Sequence, residues 1–204
     1  AGFIEQRVHP VLAALTMITR VISIEDWDAI VGFAPAVCDE KGYLARLQQA
    51  LARHKDKTKT FVSWGYHHYF HGALSREKLN QLAPDFPVII WHRSAHEFYL
   101  NDAALKKTGI DQALVDALPK SAQTQLSLSK GHFFEQGALA VLGKLAPEFA
   151  TPESFRQGLE FTKTYYHRNG ITLACEPGGF PSKPMQDAIN AVYSAESTPF
   201  NHCF

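Results

Sequence analysis

Residues Pro87-Val88-Ile89-Ile90-Trp91-His92 form an apolar run without alternation. A strand of that kind needs cover on both faces, which is the situation inside a parallel sheet. A short helix precedes it: Ser75 can cap the helix, Leu79 and Leu82 share a side, and Pro84 ends it. The same grammar recurs along the chain. Phe3 to His9 alternates as a strand until Pro10, which cannot donate to a ladder, and a helix to about Arg20 and a strand at Val21 to Ile24 follow. Asp39 caps a helix whose Tyr43, Leu44, Leu47, Ala50 and Leu51 recur at helical spacing, and Thr60 to Trp64 is the next strand. Thr151 caps a longer helix with Pro152 at its first position and Asn169-Gly170 beyond its end, feeding a strand at Ile171 to Cys175. Further helices are expected at Asp102 to Lys107, Gln112 to Leu118, Phe134 to Leu145 and Met185 to Tyr193. Ser121 to Gly131 reads as a loop or weak hairpin arm, Gly178-Gly179 as a turn, and the tail from Ser197 has no pattern. Strands alternating with helices make this an α/β protein built from βαβ units.

The charge balance narrows the function. Twenty basic residues against twenty acidic ones leave no long-range field for phosphate backbones or anionic lipid, so neither nucleic acid nor membrane is an expected partner. The most hydrophobic stretch, Val8 to Ile24, is interrupted by His9, Pro10 and Arg20 and falls short of a bilayer span. Three cysteines, Cys38, Cys175 and Cys203, are odd in number, far apart and without CxxC spacing. They argue against a disulfide framework or a thiolate zinc site, and the expected compartment is the reducing cytoplasm. The N-terminus has neither a signal-peptide pattern nor an initiator Met, so the chain is expected to begin inside a longer protein.

His67, His68, His71, His92 and His96 crowd one stretch together with Trp64, Tyr66, Tyr69 and Trp91. If helical, His67 and His71 would share a face. The cluster is either a metal site in its own right or a polar, aromatic lining of a cleft. His9, at the close of the first strand, occupies the place where a parallel sheet presents side chains to the crevice at its carboxyl ends.

Gly2-Phe3-Ile4-Glu5-x-x-Val8-His9-Pro10 resembles the opening of the amidohydrolase superfamily, where a Gly-Phe-Ile-Asp/Glu strand ends in His-x-His and a proline. Trp64-Gly65-Tyr66, Leu74-Ser75-Arg76-x-x-Leu79, Pro84-Asp85-x-Pro87-Val88 and His96-x-x-x-Leu100-Asn101-x-x-Ala104-Leu105 with Gly109-Ile110 follow in the order of that superfamily's large-insert branch. So do Gly131-x-x-x-Glu135-x-x-Ala138 and Gly158-Leu159 through Asn169-Gly170-Ile171-Thr172. The branch includes proteins similar to N-substituted formamide deformylases. The resemblance implies a partial (β/α) barrel of the TIM type with a large α/β insert: first barrel strand and helix in residues 1–24, insert lobe in 25–130, return to the barrel in 131–204.

By the same resemblance the activity is metal-dependent hydrolysis of a carbon–nitrogen bond in a small non-peptide amide, with a divalent metal, zinc foremost. His9 and Glu135 would be metal ligands, while His96, Asn101, Tyr66 and Trp64 would line the substrate cleft. Each has a plainer reading: Glu135 as a helix-dipole partner, His96 as a histidine bonded to backbone, and Trp64 as core. Glu176 lies at a strand end where barrel enzymes keep functional groups, or it satisfies a turn. The sequence departs from the family at position 7, where Arg7 replaces the first histidine of His-x-His and offers no lone pair to a metal. Members of the branch also run to several hundred residues, so the site is expected to be incomplete here. The alternative function is a catalytically silent binding or regulatory module on the same scaffold, and unpaired strand edges would favour self-association.

Overall fold

Tyr43, Leu47 and Leu51 fall on one side of a fourteen-residue helix and are nearly inaccessible to water. Together with Leu79 they cover one face of a sheet carrying Phe61, Val88 and Ile90. This core belongs to one of two units into which the computed structural model divides. It describes residues 2–177 and 182–203, so the Gly178-Gly179 turn lies outside the described residues. One unit comprises Ala1–Ile18 with Ala150–Phe204, and the other Thr19–Phe149.

The first unit contains β1 (Phe3–Glu5), α1 (Pro10–Met17), α9 (Pro152–Arg168), β10 (Ile171–Cys175), α10 (Lys183–Tyr193) and β11 (Asn201–Cys203). The second holds β2 (Arg20–Val21), β3 (Trp27–Ala29), β4 (Gly32–Ala34), α2 (Glu40–Arg53), β5 (Phe61–Tyr66), α3 (His68–His71), α4 (Arg76–Leu82), β6 (Val88–His92) and β7 (Glu97–Leu100). It continues with α5 (Asp102–Thr108), α6 (Gln112–Ala117), α7 (Lys120–Gln123), β8 (Leu126–Ser127), β9 (His132–Phe134), α8 (Glu135–Leu145) and a 3₁₀ turn at Ala146–Glu148.

In the first unit β1, β10 and β11 form a parallel sheet in that order. Helix α1 packs on α9. The contact needs a glycine: a Cβ on Gly158 would stand 2.4 Å from the Ala14 carbonyl oxygen. Thr151 caps α9 as its sequence suggests, accepting from Ser154 N–H at 3.1 Å. The tail is not patternless, since Asn201–Cys203 adds a strand to β10 in register. That register places Cys175 opposite Cys203, with Cα atoms 4.7 Å apart, and they form a disulfide. The argument against disulfide bonding is corrected: an odd total leaves one cysteine over, the exposed Cys38, and sequence distance says nothing about adjacency across a parallel ladder. The argument for a reducing compartment falls with it.

The second unit is built on a six-stranded mixed sheet, β2-β5-β6-β7-β9-β8. β2, β5 and β6 are parallel, as the apolar run at Val88–His92 requires, while β7, β9 and β8 continue the sheet antiparallel. Helices α2 and α4 contribute to the core on one face, and α8 packs on β7 and β9. The register slips between Trp64 and Tyr66, where Gly65 takes φ +112°. A Cβ there would stand 2.6 Å from the Ile22 carbonyl oxygen, so this irregularity next to the histidine stretch depends on glycine. The architecture is mixed α/β, and among the described residues the sheets form no closed barrel. No helix among them is long and apolar enough to cross a membrane.

Candidate functional site

In the second unit the chemically interesting groups gather where the parallel strands end. Ser23 and Glu25 follow β2, His67 and His68 follow β5, and His92 closes β6. The backbone ties these ends together: Arg93 N–H donates to the Tyr66 carbonyl at 2.7 Å, and Ile22 N–H donates to the Trp64 carbonyl at 3.0 Å. Arg93 grips Glu25 with two guanidinium donors, Nε to Oε2 at 3.0 Å and Nη2 to Oε1, and Ser23 Oγ donates to Oε2 at 2.7 Å. Burial raises the Glu25 pKa, but these donors outweigh it and hold the carboxyl below its ordinary value.

His67, His68 and His92 each offer a ring nitrogen, and the three atoms lie within 4.8 Å of one another. The ring centroids stand 5.2 to 5.5 Å apart, with His68 stacked on His92. His67 Nδ1 caps α3 by accepting from Tyr69 N–H at 3.3 Å, which leaves Nε2. His92 is buried, and its Nε2 has no hydrogen-bond partner. Its Nδ1 lies 2.8 Å from Ser94 Oγ and 3.1 Å from Ser94 N–H. Burial lowers its pKa to about 4, so the ring is neutral near pH 7.

The turn from β6 to β7 carries a second group. Ser94 Oγ also accepts from His96 N–H at 3.2 Å, linking His92 to His96. His96 Nδ1 lies 3.1 Å from Glu135 Oε2. Among the described residues only Ala95, at φ +66°, and Glu135, at φ +45°, combine a side chain with left-handed backbone: one precedes His96 and the other is the carboxylate it meets. Such residues cost of order 1 kcal/mol each and cluster at functional sites. On the next strand Glu97 accepts from His132 at 2.8 Å, and this bond, working against burial, lowers its pKa. Glu97 Oε1 stands 3.9 Å from His92 Nδ1.

The other expected residues take different places. Asn101 is fully buried, and its amide is committed to backbone: Oδ1 accepts from Val88 and Ala104, and Nδ2 donates to Ala83 and Phe86. It caps α5 and locks the end of α4 to the start of β6. The Tyr66 hydroxyl donates to the Gly72 carbonyl at 2.6 Å and accepts from Leu74 N–H, and burial raises its pKa. Trp64 packs edge-on against Trp27, with its indole N–H buried and without a partner. Both ring nitrogens of His71 are committed to backbone, Nδ1 accepting from His67 N–H at 3.0 Å and Nε2 donating to the Val37 carbonyl at 2.7 Å, while the ring stacks on Tyr43. Sequence reasoning therefore paired His67 with the wrong neighbour. The signal for His68 was its place as the first residue of a helix capped by His67.

His9 belongs to the first unit. β1 and β10 run parallel, and beyond their carboxyl ends His9 Nδ1 meets Glu176 Oε1 at 2.6 Å. The Glu176 side chain is 3% exposed against 44% for His9. Its second oxygen, Oε2, has no hydrogen-bond partner. Glu176 is placed by its own N–H, which donates to the Cys203 carbonyl at 2.9 Å, so the added strand β11 fixes it. Arg7 is exposed, with its backbone N–H on Glu5.

No family model and no curated protein matches the chain. Two solved structures do. An uncharacterized metal-dependent hydrolase from Pyrococcus horikoshii OT3 superposes with a TM-score of 0.63 at 14% identity, covering 100% of this chain and 36% of that one. An uncharacterized metal-dependent hydrolase from Pyrococcus furiosus gives 0.62 at 12% identity, covering 100% and 37%. The chain shares its fold with part of these proteins and spans little more than a third of their length.

Proposed function

We propose that the chain is part of a metal-dependent hydrolase that cleaves the carbon–nitrogen bond of a small, non-peptide amide. The observation that carries this reading is the His9–Glu176 pair: a buried carboxylate 2.6 Å from Nδ1 of a half-exposed histidine beyond the carboxyl ends of paired parallel strands. Metal-ligating histidines characteristically donate their second ring N–H to such a carboxylate, which fixes the tautomer and raises the basicity of the other nitrogen. The fold shared with two metal-dependent hydrolases supports the same assignment. In this reading β1, β10 and β11 are barrel strands and residues 19–149 are an insert, and the edges of β1 and β11 await further strands or a second copy.

His9 would offer one ligand, Nε2, with Glu176 holding Nδ1–H, and the remaining ligands would come from parts of the full protein outside this chain. Arg7 contributes no ligand, because a guanidinium has no lone pair to give. The ion, zinc in first place, would supply an acidified water and polarise the amide carbonyl. Glu135, expected as a ligand, belongs to the second unit, where it pairs with His96.

The test is amine release from a panel of N-substituted formamides and small amides by the full natural protein that carries this chain, with and without added Zn²⁺. Metal-dependent release is expected, with His9→Gln and Glu176→Gln each lowering kcat/KM at least about tenfold. Release that ignores both substitutions overturns the role of the His9–Glu176 pair, and no release from any amide overturns the reading and favours the silent binding module, for which Arg7 speaks.

A further inference from the structure

We propose that His67, His68 and His92 form a second, separate site for a transition-metal ion, one that the second unit can fill by itself. Three independent observations converge on it. The ligand atoms lie within 4.8 Å of one another, so small side-chain adjustments bring them to the roughly 2.0–2.1 Å bond lengths of a shared ion. His92 Nε2 is buried without a partner, and a polar atom left in that state costs about 1–3 kcal/mol unless something binds it. The neighbouring His67 ring is already oriented: Tyr69 N–H donates to its Nδ1 and leaves Nε2 to ligate. His92 Nδ1 accepts from Ser94 N–H at 3.1 Å, so a metal at its Nε2 requires the ring proton to move to Nδ1, where Ser94 Oγ at 2.8 Å can accept the hydrogen bond in place of that contact.

The chemistry of the donor set selects the ion. Three neutral imidazoles are borderline ligands that suit Zn²⁺, Co²⁺, Ni²⁺ or Cu²⁺ and are poor ones for Mg²⁺ or Ca²⁺, which want oxygen. Because none of the three carries charge, the full double positive charge stays on the ion. With three protein ligands a fourth position remains for water or an oxygen donor, the arrangement of an open rather than a closed site. Glu97, with Oε1 3.9 Å from His92 Nδ1 and Oε2 bonded to His132, is a carboxylate placed to balance that charge. The site owes nothing to His9 and stands or falls independently of the proposed hydrolase activity.

The experiment is titration of the purified chain with Co²⁺, read by visible absorption and calorimetry, and with Zn²⁺ in competition. Wild type is expected to bind with a d–d spectrum of nitrogen ligation. His68 is exposed, so His68→Ala should leave the fold intact while weakening this binding at least about tenfold. His67→Gln should do the same, and Mg²⁺ should not compete. His9→Ala should leave the cobalt spectrum of this site unchanged, which separates it from the metal at His9. Cobalt binding that survives His68→Ala and His67→Gln undiminished, that disappears with His9→Ala, or that is absent from the folded wild type overturns the proposal.

Discussion

His96 and Glu135 are joined twice: Glu135 N–H donates to the His96 carbonyl at 3.0 Å, and His96 Nδ1 meets Glu135 Oε2 at 3.1 Å. The double link holds both side chains in one relative pose and is bought with left-handed backbone at Ala95 and Glu135.

That cost is measurable at Ala95. Glycine carries no Cβ penalty at φ +66°, so Ala95→Gly should stabilise the protein by up to about 1 kcal/mol, and Ala95→Val should destabilise it by more than that. Urea unfolding of the three proteins decides it. A loss of stability in Ala95→Gly would mean that the turn is not strained.

Asn101 and His96 should separate cleanly. Replacing Asn101 by Leu leaves buried backbone groups of Ala83, Phe86, Val88 and Ala104 without their partner and should cost at least about 2 kcal/mol. His96→Ala, at a largely exposed side chain, should cost less than about 1 kcal/mol. Equal losses from the two substitutions would contradict this division of roles.

Gly158→Ala should destabilise by about 1–3 kcal/mol, because the added methyl meets the Ala14 backbone rather than a flexible side chain. Calorimetry should show a lower Tm, whereas Gly143→Ala, where a Cβ meets nothing within 4 Å, should be neutral or slightly stabilising. If both behave alike, the α1–α9 contact is looser than described.

Acid should weaken the protein before its carboxylates titrate. Burial lowers the pKa of His71, and that of His92 to about 4, so below about 6.5 the unfolded chain binds protons that the folded one refuses. Their contribution to stability is complete above pH 6.5 and is lost progressively as pH falls from there towards 4. Urea midpoints should therefore fall between pH 7 and pH 5, with a smaller fall in a His71→Gln variant that folds. A flat profile over this window would count against two buried neutral rings.

Much of the scaffold could be read in the residues. The Val88–His92 run announced a strand covered on both faces, and Asp39, Ser75, Asn101 and Thr151 marked helix starts that the structure confirms by capping bonds. The antiparallel half of the sheet was not legible. β8 and β9 are two and three residues long, too short for a period, and their pairing with β7 depends on contacts far apart in sequence. The same limit hid Cys175–Cys203 and the Glu176 carboxylate that meets His9, both products of register between β1, β10 and β11. In the histidine stretch composition drew attention to the right place, but the geometry chose His68 over His71, because Val37 and Tyr43 claim His71 from elsewhere in the chain.

The first unit is assembled from both ends of the chain, with the whole of residues 19–149 lying between its halves in sequence. On a ribosome β1 is made before residues 19–149, and among the described strands it finds none to pair with until β10 has been synthesised. The second unit is continuous and can close during that wait, turning a long floppy loop into a folded body. The order in which the two units begin and the order in which they close are thus opposite, and the disulfide between β10 and β11 can form only after both strands exist.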